Sequence, residues 1–300
     1  MQRILLPVIL LALILFGCDS GDVIEQEVAQ VQVRLELDNL PVLQDGFHYQ
    51  AWAKIGFEYF GTDSFNKAEN GGFVNNSGQF IQNSFVFDRD VSTASLIMIT
   101  IEDKRDSDDI PSGTVVLAGD VVNSVAILTA DHEDALGTSF AAQSGQFMLM
   151  TPSDLDASNE TSGVWFATGA RTSLSPGLSL PALPSGWAYQ GWVDTGDVLL
   201  TTGAFTAMDD HDLERPHGLP DAPPFPGEDF LENAPQGITF PADLAGATVW
   251  VSAEPAPDDN GVTPYGIRVL SGSIPANPSA DTAYSLSSDF QAPSGTATLF

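Results

Sequence analysis

The sequence predicts an all-β protein of two tandem β-sandwich domains behind a cleaved lipoprotein signal peptide, and three observations predict the β architecture. One thirteen-residue stretch is spelled almost twice, short apolar runs recur with period two, and turn residues gather between those runs. "LPVLQDGFHYQAW" runs from Leu40 to Trp52 and "LPALPSGWAYQGW" from Leu180 to Trp192, 140 positions apart. The same offset carries "GTDSF", ending at Phe65, onto "TGAF", ending at Phe205. Farther on, Glu102 answers Glu254, Pro111 answers Pro264, and Leu117 and Gly119 answer Leu270 and Gly272. At the end of each copy, Phe140 and Ser144–Gly145 answer Phe290 and Ser294–Gly295. Order is kept throughout and the offset changes only between blocks, as in a duplicated unit with loop insertions.

The elements follow in order. Val31, Val33, Leu35 and Leu37 alternate with Gln32, Arg34 and Glu36, the pattern of a half-buried strand. In "FHYQAWAKI", Phe47, Tyr49 and Ala51 share one face and His48, Gln50, Trp52 and Lys54 the other. A large aromatic in a strand buries about 150–250 Å². Tyr49, Trp52, Tyr189 and Trp192 are therefore expected as core anchors, each tyrosine hydroxyl reaching a partner at the rim. The competing expectation is that Trp52 and Trp192 form an exposed glycan-binding platform. "ASLIMITIE" and "ATVWVSAE" are apolar and β-branched enough for core strands, and "TVVLAG", "SVAILT", "QFMLM" and "GIRVLSG" are shorter ones. "ADHEDALG" is expected to hold one helical turn. The boundaries expected are residues 31–168 for the first domain and 172–300 for the second. Each should fold alone through its own core, because the single cysteine leaves no disulfide to staple it.

Residues 1–17 read as a signal peptide: Arg3, then an apolar run from Ile4 to Phe16 that is too short to span a bilayer. The lone cysteine, Cys18, follows in "LFGC", which resembles the lipobox of bacterial lipoproteins. The resemblance implies cleavage before Cys18, its lipidation, and a tether over residues 18–30. It places the protein in the cell envelope, held on a membrane and facing the periplasm or the cell surface.

Ten Lys and Arg stand against forty Asp and Glu, a formal net charge of −30. Such a surface repels phosphate backbones and excludes nucleic acid as a partner. It leaves a solvated acidic surface, divalent cations or a basic partner as the meanings of the charge.

The "YQxW" strand, the following G-x-F turn, a strand ending in Glu and a Pro- and Gly-rich loop before "VVLAG" resemble the extracytoplasmic domain of the anti-sigma-K factor family. The corresponding stretches are Tyr49–Trp52 with Ile99–Pro111 and Tyr189–Trp192 with Val251–Pro264. The resemblance implies an envelope β domain for sensing, scaffolding or protein binding. Two departures qualify it. A lipobox stands where that family has a sigma-binding segment and a transmembrane helix, so no direct contact with a cytoplasmic sigma factor is expected. The Gly-Gly-Ser of the family's hairpin is replaced by acidic "EDKRDSDDIP" and "EPAPDDNGVTP".

Signatures of catalysis are missing: there is no G-x-S-x-G, no H-E-x-x-H and no Gly-rich phosphate loop around the four histidines, His48, His132, His211 and His217. No enzymatic activity and no cofactor are expected, calcium being the one candidate ion. The second copy carries an insertion, "MDDHDLERPHGLPDAPPFPGEDF", at 208–230. Asp210, Asp212, Glu214 and Asp221 there have the spacing of a calcium loop, although Arg215 occupies the place of the turn glycine. A solvated acidic loop is the competing reading. "SDLDASNETSG", 153–163, is expected as a turn whose Asp and Asn side chains bond local backbone, and the acidic tips around Asp106–Asp109 and Asp258–Asp259 as solvated hairpins.

Overall fold

A computed structural model describes residues 31–43, 46–106, 108–218, 222–256, 263–288 and 290–300. The fold is all-β, and among the described residues no helix is long and apolar enough to cross a membrane. The expected helical turn at Ala130–Gly137 is a run of non-helical turns.

The first copy contains β1 (Gln32–Asp38), β2 (Phe47–Ile55), β3 (Glu58–Gly61), a small sheet of β4 (Asn66–Lys67), β5 (Phe73–Val74) and β6 (Phe80–Ile81), then β7 (Ser84–Val86), β8 (Leu96–Asp103), β9 (Val115–Val122), β10 (Val125–Thr129) and β11 (Ser144–Leu149). The second contains β12 (Gly163–Trp165), a hairpin of β13 (Ala167–Ala170) and β14 (Ser173–Pro176), β15 (Leu178–Ser179), β16 (Trp187–Asp194), β17 (Leu199–Phe205), β18 (Gly227–Asp229), β19 (Thr248–Pro255), β20 (Ile267–Ser273), β21 (Ala283–Leu286) and β22 (Ser294–Leu299).

The alternation in β1 resolves as its sequence requires: Val33, Leu35 and Leu37 are buried, and Gln32, Arg34 and Glu36 are exposed. The strand order of the first sheet is β3-β2-β8-β9-β10-β22-β1-β7. Its sixth strand is therefore the last strand of the chain. The second sheet runs β17-β16-β19-β20, crosses the Ser271–Ser287 bridge to β21, and continues through β11 to β15 and β12, and then β18. Its sixth position is filled by β11, from the first copy. The two copies share one strand order, and each donates its final strand to the other.

This exchange corrects the boundary expected between 168 and 172, because hydrogen-bonded pairing crosses it in both directions. Its detail explains why Ser-Gly recurs. Gly295 lies between Leu37 and Leu128, and Gly145 between Leu178 and Leu286. A Cβ on Gly295 would stand 2.7 Å from Leu37 Cδ2 and 2.3 Å from the Glu36 oxygen, and one on Gly145 would stand 2.9 Å from Leu178 Cδ2. The donated strand passes so close to its neighbours that only glycine fits. Phe140 and Phe290, equivalent in the repeat, meet edge-to-face at 5.6 Å between the copies. One continuous apolar cluster runs through both copies, from Val33 and Tyr49 to Tyr189 and Leu299.

Candidate functional site

The recurring "YQxW" motif builds the same arrangement twice. Tyr49 donates its hydroxyl to the Pro41 carbonyl at 2.9 Å, and Tyr189 donates to Pro181 at 2.7 Å. Each bond ties the incoming Leu-Pro segment to the strand that follows it, which is why Leu-Pro and Tyr are repeated together. The expected rim partner of each tyrosine is thus a backbone oxygen eight residues upstream.

On the opposite face of β2, the Trp52 indole N–H donates to Thr100 Oγ1 at 2.9 Å. The Thr100 hydroxyl donates to Glu102 Oε1, which also accepts the Ser112 N–H at 3.0 Å. The second copy repeats the chain: Trp192 donates to Ser252 Oγ at 2.8 Å, Ser252 to Glu254 Oε1, and the Tyr265 N–H to Glu254 Oε2 at 2.8 Å. Trp52 is 2% and Trp192 0% exposed, so neither presents a ring to a ligand and the glycan platform expected of them is corrected. Trp192 stacks on Trp250 at 6.5 Å, and the Arg268 guanidinium covers Trp250 at 3.9 Å.

Chemistry of a different kind gathers where the insertion returns to the sheet. The calcium loop expected from its sequence is not assembled among the described residues: Asp210 and Glu214 are exposed, Asp212 is buried, and Asp221 lies outside them. Asp210 turns back to accept the His211 N–H at 2.8 Å, whereas Asp212 points inward to accept the Gly227 N–H at 2.7 Å. Among the described residues no three His, Cys, Asp or Glu side chains are grouped to hold a metal ion. In the 153–163 segment, Asp154 and Asp156 accept N–H groups two residues ahead, as expected of a turn. Asp106, Asp108 and Asp109 are exposed; Asp258 and Asp259 lie outside the described residues, as does Cys18.

Two residues that the sequence reading did not single out complete the cluster. Glu228 and Asp229 are buried in β18. Glu228 Oε2 accepts the His217 N–H at 3.1 Å, and its Oε1 accepts the Asp229 N–H at 3.2 Å. Asp229 Oδ1 accepts the Trp165 indole N–H at 2.6 Å, and its Oδ2 accepts the Ser153 N–H at 2.9 Å and the Ser153 hydroxyl. Burial pushes all three carboxyls upward: Asp212 well above the carboxylate range, Glu228 to about 7, and Asp229 in the same direction. The Arg215 guanidinium opposes the shift at Asp212 and Glu228 without overcoming it. Asp212 Oδ1, Arg215 Nη1 and His217 Nδ1 are buried with no hydrogen-bond partner among the described residues. Burial lowers the His217 pKa, so its ring favours the neutral form.

Beside this cluster a cavity of about 160 Å³ separates Gln190 and Glu254 on the sheet from Leu213, Glu214 and Pro216 of the insertion. Gly203 allows that packing, since a Cβ there would stand 2.2 Å from the Glu214 carbonyl oxygen. The carboxyls act as a latch: they bond the backbone of the insertion to itself and, through Ser153 and Trp165, to the rest of the fold. Among the described residues, no hydrogen bond joins a histidine ring to a serine hydroxyl.

No family model, no curated protein and no solved structure matches the chain.

Proposed function

We propose that the chain is a lipid-anchored cell-envelope protein without enzymatic activity, whose paired anti-sigma-K-like β units scaffold or bind another protein. The observation that supports it best is the fate of the repeated signature. Both copies of Tyr, Trp, hydroxyl and Glu lie inside the sheets, bonded to the fold itself. The repeat therefore maintains a doubled frame, and what that frame offers outward is charge, with forty acidic residues against ten basic ones. A surface of that sign selects basic partners and speeds their encounter. The lipobox-like "LFGC" supplies the anchor in this reading.

The test is in-cell crosslinking of the tagged mature protein, followed by mass spectrometry of what it retains. A reproducible envelope protein with a basic exposed segment is the expected result. Recovery of no protein partner, together with saturable binding of a glycan or of calcium, would replace this reading.

A further inference from the structure

Three large apolar side chains stand exposed at one end of the first sheet, where chain turns are ordinarily polar. Phe57, at the β2–β3 turn, is 100% exposed, Val122, at the β9–β10 turn, 64%, and the terminal Phe300 56%. Backbone bonds place them along one rim. The Ser95 N–H reaches Lys54 and the Val121 N–H reaches Ser95, both at 2.9 Å; the Leu299 N–H reaches Ser124 at 2.8 Å. Gln32 and Phe300 exchange N–H···O bonds at 3.0 Å, and the Phe87 N–H reaches Val31 at 3.1 Å. Val31 is where the segment from Cys18 enters the fold, so the apolar rim and the tether share one end.

Two further observations set this rim apart. Three of the chain's ten basic residues, Arg34, Lys54 and Arg89, stand there, among acidic groups that include Glu58, Asp88, Asp90, Asp120 and, across His132, Asp134. Arg34 lies 5.3 Å from the Phe300 ring centroid and Arg89 4.6 Å from that of Phe60, so the cations cover aromatic faces at the rim. The second copy also lacks the apolar tip: at the offset of 140 that joins Tyr49 to Tyr189, Phe57 corresponds to Asp197. The same hairpin turn is aromatic in the copy that follows the tether and acidic in the other.

We propose that this rim seats on the bilayer that carries the anchor, with Phe57, Val122 and Phe300 entering the headgroup region of zwitterionic lipid. The proposal rests on the lipid-anchor reading above. Thirteen residues, 18–30, reach at most ~45 Å even when fully extended. The tether thus holds the rim at the membrane at high effective concentration, where a weak apolar contact is enough to orient the body. The net charge of −30 disfavours anionic lipid as the surface.

The experiment couples residues 18–300 through the Cys18 thiol to maleimide lipid in phosphatidylcholine vesicles and footprints side chains with hydroxyl radicals. Phe57 and Phe300 should be modified at least threefold less than in the capped, vesicle-free protein, while Phe80 and Leu155, exposed elsewhere, stay unchanged. A Phe57→Asp, Phe300→Asp double variant with unaltered thermal unfolding should also lose protection at Val122. Equal labelling of Phe57 and Phe300 on and off vesicles overturns the proposal. So does protection that grows with protein concentration in the absence of lipid, the sign of a second copy at the rim. The synthetic coupling does not depend on native lipidation, so the anchor is tested apart from it by fractionating cells that express Cys18→Ala. Retention of that variant in membranes overturns the anchor and the proposal together; its release, with an unprotected rim on vesicles, overturns the proposal alone.

Discussion

Glu228→Gln isolates the carboxyl at the centre of the latch. Burial raises Glu228 from the ordinary 4.5 to about 7, so the folded protein holds a proton there that the unfolded chain has already released. The folded state binds more protons across that window, and its stability must fall as pH rises from about 4.5 through about 7. At about 1.4 kcal/mol for each pH unit of separation, the loss is about 3 kcal/mol, complete above the folded value. Glutamine has the shape of the protonated carboxyl and cannot ionise. Its amide nitrogen cannot accept one of the two N–H groups that the carboxyl oxygens hold, so the variant should start below wild type near pH 4.5 and gain about 3 kcal/mol on it by pH 8.5, roughly 6–12 °C in Tm for a chain of this size. Asp212 and Asp229 are raised by burial in the same direction, so the variant keeps part of the slope and the difference between the proteins carries the test. Thermal unfolding of both proteins at several pH values between 4.5 and 8.5 measures it. Parallel curves would show that Glu228 is ionised in the fold, and the latch as described would be wrong.

Tyr49→Phe and Tyr189→Phe each remove one hydroxyl-to-proline bond and should each cost about 1 kcal/mol, read as a lower urea midpoint at unchanged slope. Costs that differ severalfold would break the equivalence of the two copies. Trp192→Phe removes the donor to Ser252 and part of the stack on Trp250, and about 2–3 kcal/mol of destabilisation is expected in the same assay. Residues 31–168 expressed alone lack β22 and still carry β11, so they should run as a dimer in light scattering, each copy filling the vacant position of the other. A folded monomer of that fragment would contradict the strand exchange.

The period-two pattern carried the all-β class, the alternation of β1 and the anchoring role of the paired aromatics, because burial in a strand is written directly into side-chain polarity. The exchange was not legible. β11 and β22 carry equivalent signals, Ser144–Gly145 and Ser294–Gly295, so either could fill either sixth position, and sequence order favoured the nearer one. The choice depends on how the 130–143 and 287–293 connections run in space. The latch escaped for another reason. Glu228 stands where the first sheet has Phe85: Val33 pairs with Leu299 and Phe85, and Val164 with Leu149 and Glu228. A charged residue at a core position reads as a loop until its N–H partners are known. Two adjacent acids in "GEDF" between an apolar Phe225 and Phe230 are the signal that could have pointed to it. Asp212 shares a calcium-like spacing with Asp210 and Glu214, and only the backbone path of the insertion turns it inward.

The exchanged strand also fixes the order in which this molecule can come into being. β1, among the first strands made, needs β22, the last, to cover one edge, and β10 needs the same strand. As the chain is synthesised or threaded end-first through a pore, the first sheet keeps a gap in its middle until residues 294–299 emerge. Pairings of such large sequence separation close slowly, and an open gap is an invitation to another chain's strand. Completion of the first sheet is thereby deferred until residues 294–299 have been made, and a chain cut before them leaves its oldest part open.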